Sequence, residues 1–392
     1  MITQALVAAG AAIDLSEPLP LAETYNANGA SCALDALFTE TQPKLAYGLL
    51  HRGALVAKRF GVGMDDGTKF NQRSMMHSWL TMLVGCLVDA NTISASDTLD
   101  QVFHLKESDW ARVTHAGAKR KITIDKLLTM ESGLLQATNP PPLEHRNELV
   151  DVLNRYEMAG NATAAWAPLL SQCPHGRRCI DELEEGTFPH SYLPTSDIIV
   201  WHIISAASGT TPQQFARSSD CPVWAALGIP EAEVEWRANA SLEIATPELE
   251  MKLSSMLKLG QLHLQGGLSA PASEQDRDFD NRLLSKEWME ATTTAQTQLS
   301  PLRREGAGPC GCTYDGYGQG WWICRDFYCS VAGNGSKQQV DAGPRPAPAR
   351  TRPSVSPDLY PSVRSSYVST RLLRPCSRSP PSTTPQKQPA GS

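Results

Sequence analysis

An apolar run over residues 74–90, SMMHSWLTMLVGCLVDA, constrains the fold more than any other segment. A helix that is apolar on all sides lies inside a protein core or a membrane. A membrane span needs about 18 apolar residues, and the longest uninterrupted stretch, residues 80–88, is about half of that. The run opens on Ser74, which suits a helix cap, and meets Asn91 at its end. We therefore predict a buried central helix in a globular protein, with no transmembrane segment.

Strand patterns flank this helix on both sides. Residues 44–51 (KLAYGLLH) and 54–60 (ALVAKRF) predict a hairpin that turns at Arg52 and Gly53. Aromatic and glycine-rich strands are predicted between residues 314 and 340. Further helices are predicted over residues 124–130, 143–158, 197–207 and 248–265. Strands, then helices, then strands indicate the α+β class.

Composition changes sharply near residue 340. Residues 341–392 hold 11 of the 28 prolines, and eight basic against two acidic residues. Such a segment cannot bury enough apolar surface to fold, so we predict a disordered tail rich in proline, serine and arginine. The predicted organisation is a lead-in segment over residues 1–39, a domain over 40–340 and the tail over 341–392.

Charge and cysteine content limit the partners and the location. The chain has 35 Lys and Arg against 41 Asp and Glu, and the acidic excess lies in the body. Nucleic-acid binding needs clustered basic residues, so we expect no nucleic-acid partner. The first residues contain no basic region typical of a secretory signal, so we expect a cytoplasmic protein. The ten cysteines contain no C-x-x-C pair, so free thiols are expected rather than a zinc site or a disulfide scaffold.

Ser74 and His77 are the first candidates for chemistry. A serine at the start of a buried helix lies where backbone N–H groups and the helix dipole stabilise a developing oxyanion. His77 follows one turn later, with its Cβ atom roughly 5–6 Å away, and is a candidate general base. The alternative is structural, with Ser74 as a helix cap and His77 as a hydrogen-bonded core histidine.

Several motifs in order resemble one enzyme family. Residues 74–77 (SMMH) stand at an S-x-x-K position, and residues 122–134 (ITIDKLLTMESGL) resemble the segment ITVxxLLTMxSGL. Tyr192 stands before a predicted helix, and residues 259–267 (LGQLHLQGG) and 317–322 (YGQGWW) are further matches. Together they resemble the serine β-lactamase and penicillin-binding-protein group, nearest its esterase and nylon-oligomer (6-aminohexanoate-dimer) hydrolase branch. The resemblance covers roughly residues 40–340.

The resemblance implies a fold and a chemistry. The implied fold is β-lactamase/transpeptidase-like, with an antiparallel sheet flanked by helices and a helical subdomain. Ser74 would be the nucleophile of an acyl-enzyme, His77 would occupy the lysine position, and Tyr192 would be a second proton carrier. Gly335 and Ser336, in a glycine-rich third motif, would bind the substrate or the oxyanion. The resemblance implies neither a cofactor nor a metal.

The chain departs from this family in three places. His77 replaces lysine, although a neutral imidazole is a competent base near pH 7. Tyr192 is followed by leucine and proline, which removes the polar residue of the family motif. The tail begins where the family continues with strands and a helix. A changed reading frame, alternative splicing or a faulty gene model would leave the sheet with an exposed edge, whereas a linker on a complete domain would not.

The sequence therefore predicts a serine hydrolase that cleaves a small amide or ester through Ser74. The alternative is a catalytically inactive relative that binds a ligand or partner in the same cleft, because fold kinship does not establish activity. We expect a small-molecule substrate and no membrane partner. The oligomeric state is left open.

Overall fold

The fold is known from a computed structural model, which describes residues 2–8, 13–21, 25–27, 30–32, 45–51, 53–136, 148–158, 195–238, 247–270, 281–297, 314–324, 327–331 and 337–341. The strands in these segments are β1 Ile2–Ala8, β2 Tyr25–Ala27, β3 Ala30–Cys32, β4 Leu45–His51, β5 Ala54–Phe60, β6 Lys69–Asn71, β7 Leu134–Gln136, β8 Tyr156–Met158, β9 Val234–Ala238, β10 Pro247–Lys252, β11 Tyr314–Tyr317, β12 Trp322–Cys324, β13 Phe327–Val331 and β14 Lys337–Asp341. The α-helices are α1 Met76–Asp89, α2 Leu99–Phe103, α3 Glu107–Trp110, α4 Ala116–Lys119, α5 Ile124–Leu128, α6 Leu149–Asn154, α7 Thr195–Ser208, α8 Pro212–Phe215, α9 Val223–Ala226, α10 Leu253–Leu264 and α11 Lys286–Thr293. Short 3-10 turns lie at Arg73–Met75 and Glu231–Glu233.

Strands from both ends of the chain form one seven-stranded sheet. Its order is β11-β12-β13-β14-β1-β4-β5, and a second sheet has the order β6-β10-β9. The predicted hairpin is confirmed, because β4 pairs antiparallel with β5 around a turn that holds Gly53 at φ +76°. The late strands are also confirmed, and β11 to β14 form an antiparallel series. The predicted α+β class is therefore correct.

Strand β1 departs from the predicted antiparallel sheet. It pairs in parallel with β14 on one side and with β4 on the other. Parallel neighbours need a long connection, and 36 residues separate β1 from β4. If the sheet lacked its last strands, β14 would be expected to form an exposed edge. This expectation is wrong, because β1 pairs with β14. The predicted lead-in segment thus supplies β1, a strand of the sheet. The domain boundaries stay a prediction. The tail predicted from residue 341 lies, from residue 342 on, outside the described segments.

Helix α10 packs on the sheet across β1, β4 and β14. Its apolar residues Leu253 and Leu257 are buried. They lie against Gly48 of β4, where an added Cβ atom would stand 2.9 Å from Leu257 Cδ1 and 3.2 Å from Leu253 Cγ. The missing side chain at Gly48 therefore lets the helix approach the strand closely.

Helix α1 is the predicted buried central helix. Its residues from Met76 to Leu87 are all buried, including Trp79 and Leu80. It packs against α7, and α7 also contacts α2, α5, α6 and α8. These helices form a second layer, and the first turns of α1 and α7 lie side by side within it.

Two predicted helices are wrong in part. The helix predicted over residues 248–265 begins only at Leu253, because Pro247–Lys252 forms β10. Leu249 and Met251 are fully buried and alternate with half-buried glutamates, which is the period of a strand. The helix predicted from residue 143 ends at Asn154 where it is described, and Tyr156–Met158 pairs with β7.

The expectation of free thiols is also wrong. Cys86 in α1 and Cys221, just before α9, form a disulfide with a Cα–Cα distance of 5.5 Å. Both side chains are buried, and Cys324 is disulfide-bonded as well. Within the described segments, no helix combines the length and the apolar character needed to cross a bilayer.

Candidate active site

Ser74 lies in the 3-10 turn that leads directly into α1. Gln72 sets the start of this turn, because its backbone N–H donates to the Leu249 carbonyl at 2.7 Å and its own carbonyl accepts from the Met75 N–H at 2.9 Å. The N-cap residue of α1 is Met75, and it makes no side-chain capping bond. Ser74 is half-buried at the positive end of the helix. The N-cap of α1 is therefore the residue after Ser74.

His77 lies in the first turn of α1 and is fully buried. Its Nδ1 atom is hydrogen-bonded to Oδ1 of Asp197, in the first turn of α7. Its Nε2 atom lies 3.0 Å from the carbonyl oxygen of Leu128, the last residue of α5. The ring of Tyr317 lies beside it, with 6.4 Å between ring centroids. Three separate elements therefore fix the orientation of the imidazole.

The two hydrogen-bond partners determine the protonation state of His77. A backbone carbonyl only accepts, and an ionised carboxylate only accepts, so both ring nitrogens must carry a proton to satisfy them. Burial by itself lowers the pKa of His77, but the Asp197 carboxylate and the Leu128 carbonyl outweigh it, and the net pKa is raised. Both contacts therefore favour the imidazolium form of His77.

This state bears on the role predicted for His77. An imidazolium has no lone pair with which to take the proton of Ser74, and both N–H groups are directed at other partners. The contacts thus oppose the general-base role, which stays a prediction. They agree with the alternative of a hydrogen-bonded core histidine, with a positive charge added.

Asp197 and the Leu128 carbonyl are the partners that sequence reasoning missed. The available signal for Asp197 was an acidic residue in the first turn of an otherwise apolar helix, TSDIIVWHIISAAS. Leu128 accepts because α5 ends there, and the last carbonyls of a helix have no partner within it. The chain leaves the helix through Met130, which has a φ of +60°.

Two of the matched motifs meet beside α1. Asp125, from the ITIDKLLTMESGL segment, accepts a hydrogen bond of 2.9 Å from Nε2 of Gln319, in the YGQGWW segment. The next residue, Gly320, accepts a bond of 2.7 Å from the Ser78 hydroxyl on α1. Gly320 has a φ of +86°. The loop that carries it therefore packs against the first turns of α1.

The remaining predicted site residues lie outside the described segments. These are Tyr192, three positions before α7, and Gly335 and Ser336, which stand between β13 and β14. Strand β13 itself lies against the turn Arg73–Met75, so the chain before the third motif runs beside Ser74. Among the described residues, no group of three or more His, Cys, Asp or Glu side chains is placed to hold a metal ion.

No protein-family model matches the sequence. No curated protein matches it either. Solved structures match it in fold. A candidate beta-lactamase from Bacteroides dorei DSM 17855 matches with a TM-score of 0.51 at 15% identity, over 74% of this chain and 78% of that one. A candidate 6-aminohexanoate-dimer hydrolase from Bacillus anthracis matches with a TM-score of 0.52 at 15% identity, over 85% of this chain and 81% of that one.

These two likenesses concern the fold. At this identity they confirm the predicted β-lactamase-like architecture, and they leave activity and substrate open.

Proposed function

We propose that the chain is a serine hydrolase that cleaves a small amide or ester through an acyl-enzyme on Ser74. The observation that carries the proposal is the position of Ser74, half-buried at the positive end of α1 and one turn before His77, whose pKa is raised by the Asp197 carboxylate against the lowering effect of burial. Helix N–H groups and a fixed cation both stabilise negative charge that develops at a nucleophile or an oxyanion.

The proton of Ser74 needs an acceptor other than His77. Tyr192 is our candidate, because it precedes α7, the helix that brings Asp197 to His77. Gly335 and Ser336 are proposed to bind the substrate or the oxyanion, since β13 leads towards them from beside the Ser74 turn. Each of these roles rests on the resemblance of the sequence motifs.

A catalytically inactive protein that binds a ligand in the same cleft is the second candidate. The observation that favours it is the pairing of His77, because an imidazolium with both N–H groups bonded is a complete structural unit. Removing one member of a catalytic unit costs several orders of magnitude in rate.

Partners and location are proposals too. We infer a small-molecule substrate and no nucleic-acid or membrane partner, given the acidic body of the chain. The predicted cytoplasmic location is disfavoured by the buried Cys86–Cys221 disulfide, since disulfides persist mainly in oxidising compartments.

Mass spectrometry after fluorophosphonate treatment tests the nucleophile. We expect one covalent adduct on Ser74 in the wild-type chain and none in Ser74→Ala. Ser96→Ala is the matched control, because Ser96 is an exposed loop serine whose hydroxyl is hydrogen-bonded to the Ser94 hydroxyl at 2.9 Å. Folded protein that forms no adduct would favour the inactive, ligand-binding alternative.

A further inference from the structure

His77 and Asp197 form a buried pair that joins the two helices beside Ser74. They are 120 positions apart in sequence, and the side chain of Asp197 is 9% exposed while that of His77 is fully buried. His77 is fixed at both nitrogens, by Asp197 and by the Leu128 carbonyl. Since the ring cannot turn without losing both bonds, its orientation depends on Asp197.

We propose that Asp197 is a positioning residue which, by accepting the Nδ1–H of His77, holds that ring as an imidazolium at neutral pH, one turn from Ser74. The pair supplies fixed positive charge to the nucleophile and does not act as a proton acceptor. This inference rests on the proposed function of Ser74 for its catalytic consequence, but the charge state of His77 stands independently.

Beside an ionised Asp197, the imidazolium is the form of His77 that satisfies both of its partners. A neutral His77 carries one N–H, so either the Leu128 carbonyl or the Asp197 carboxylate would face a bare ring nitrogen. An unpaired carboxylate in this position would carry a large desolvation penalty. The pair therefore keeps its proton.

The other groups around the pair do not compete for that proton. The Tyr317 ring packs beside His77 from β11. Tyr156, from β8, has its pKa raised, mainly by burial and further by Asp197, against a lowering by Arg155, so it stays neutral. From α5, the group that faces His77 is the Leu128 carbonyl, which does not titrate.

Replacing the carboxylate by an amide tests the role of Asp197. Asp197→Asn keeps the shape but removes the charge that holds the proton on His77. We expect the reactivity of Ser74 to fall by up to about 100-fold, the limit set by a unit-charge interaction across roughly 5–6 Å at an effective dielectric constant of about 20, because the Asp197 carboxylate offsets part of the field of the imidazolium in the wild-type chain. Glu157→Gln is the matched control, because Glu157 pairs with the half-buried His115 at 2.9 Å, away from Ser74.

Nuclear magnetic resonance of ring-labelled histidine reads the charge state directly. The chain has nine histidines, and the His77 signals are assigned by their loss in His77→Gln and by contacts to the Tyr317 ring. We expect both nitrogens of His77 to be protonated at pH 7.5 in the wild-type chain and in Glu157→Gln, and the ring to be neutral in Asp197→Asn. A neutral His77 in the wild-type chain overturns the proposal, even where Asp197→Asn does not fold.

The pH profile of fluorophosphonate labelling separates this inference from the proposed function. A fixed cation predicts no rise in labelling near the ordinary histidine pKa of about 6.5. It also predicts that His77→Lys, which keeps a cation, labels faster than His77→Gln. Labelling that rises with an apparent pKa of 6–7 and is lost in both variants would show a histidine base and overturn the inference. If Ser74 is never labelled, the proposed function fails, and the resonance measurement still decides the state of His77.

Discussion

The Ser78 hydroxyl on α1 donates a 2.7 Å hydrogen bond to the carbonyl of Gly320, 242 positions further along the chain. Ser78 follows His77, so this bond holds the late loop against the turn that carries the candidate site. An added Cβ atom at Gly320 would lie 2.9 Å from Thr81 Oγ1 and 3.1 Å from the Ser78 Cα atom. The loop can therefore approach α1 only because residue 320 has no side chain.

Gly320→Ala should lower the free energy of unfolding by about 1–3 kcal/mol, because it combines backbone strain at φ +86° with a close contact. Urea denaturation measures the loss. Gly209→Ala is the control, since Gly209 has a φ of +69° and an added Cβ atom there would meet nothing within 4 Å. Equal losses in the two variants would show that the contact with α1 adds nothing.

The His77–Asp197 pair should make stability depend on pH. The pKa of His77 is raised in the folded chain, so the folded state binds the proton more tightly than the unfolded state. The stabilisation is complete below the unfolded pKa of about 6.5 and is lost as pH rises through the folded pKa.

Asp197→Asn should reverse the sign of that dependence, because burial without the carboxylate lowers the pKa of His77, and it should cost about 3–5 kcal/mol below about pH 6.5, as expected when one partner of a buried ion pair is removed. Urea denaturation of both chains from about pH 5 to about pH 9, on both sides of the unfolded pKa, measures the two slopes. Parallel curves would contradict the assignment of the slope to this pair.

Lys119 should give a slope of the opposite sign at higher pH. Its ammonium group is buried and donates to the Leu153 carbonyl at 2.6 Å and to the Thr114 hydroxyl at 3.0 Å. Burial lowers its pKa to about 8, against a smaller raising effect of Glu157. Between about pH 8 and 10.5 the unfolded state binds more protons, so stability should rise with pH.

Lys119→Met should lack this rise, whereas Lys121→Met, at an exposed lysine nearby, should keep it. Chemical denaturation near pH 7.5 and near pH 10 compares the three chains. A rise that persists in Lys119→Met would assign it to another group.

The Cys86–Cys221 disulfide should stabilise the fold by about 2–5 kcal/mol, because it closes a loop across 135 positions of sequence in the unfolded chain. Peptide mapping without reductant should recover the cross-linked pair. Reductant should then lower the unfolding free energy of the wild-type chain more than that of the double variant Cys86→Ala, Cys221→Ala. Cross-linked peptides that pair Cys86 with another cysteine would contradict this connectivity.

Local pattern predicted much of the fold. The hairpin around Gly53 and the helix from Met76 to Asp89 follow from short-range periodicity and turn residues. Strand Pro247–Lys252 was not predicted from local pattern, because its alternation of buried and half-buried residues runs without a break into the helix that begins at Leu253. Strand Ile2–Ala8 was not predicted either, since the strands that pair with it come from distant parts of the chain.

The place of Ser74 in the fold was predicted, whereas the partners of His77 were not. Ser74 stands at the start of the central helix, as expected from the sequence alone. The protonation state of His77 depends on Asp197 and on the carbonyl at the end of α5, and tertiary packing brings both to the ring. Residue spacing within one helix carries no information about such partners.

The parallel pairing of β1 has a consequence for the order in which the chain folds. Gln4 pairs with Lys337, and Ile2 pairs with Leu45, so the middle of the sheet joins residues that are synthesised 333 positions apart. Contacts between residues so far apart in sequence slow folding, because the entropy cost of closing the long loop between them comes before the contacts stabilise the chain. During synthesis β1, paired with β4, therefore has an unpaired edge until β14 emerges, and an unpaired strand edge is prone to aggregation.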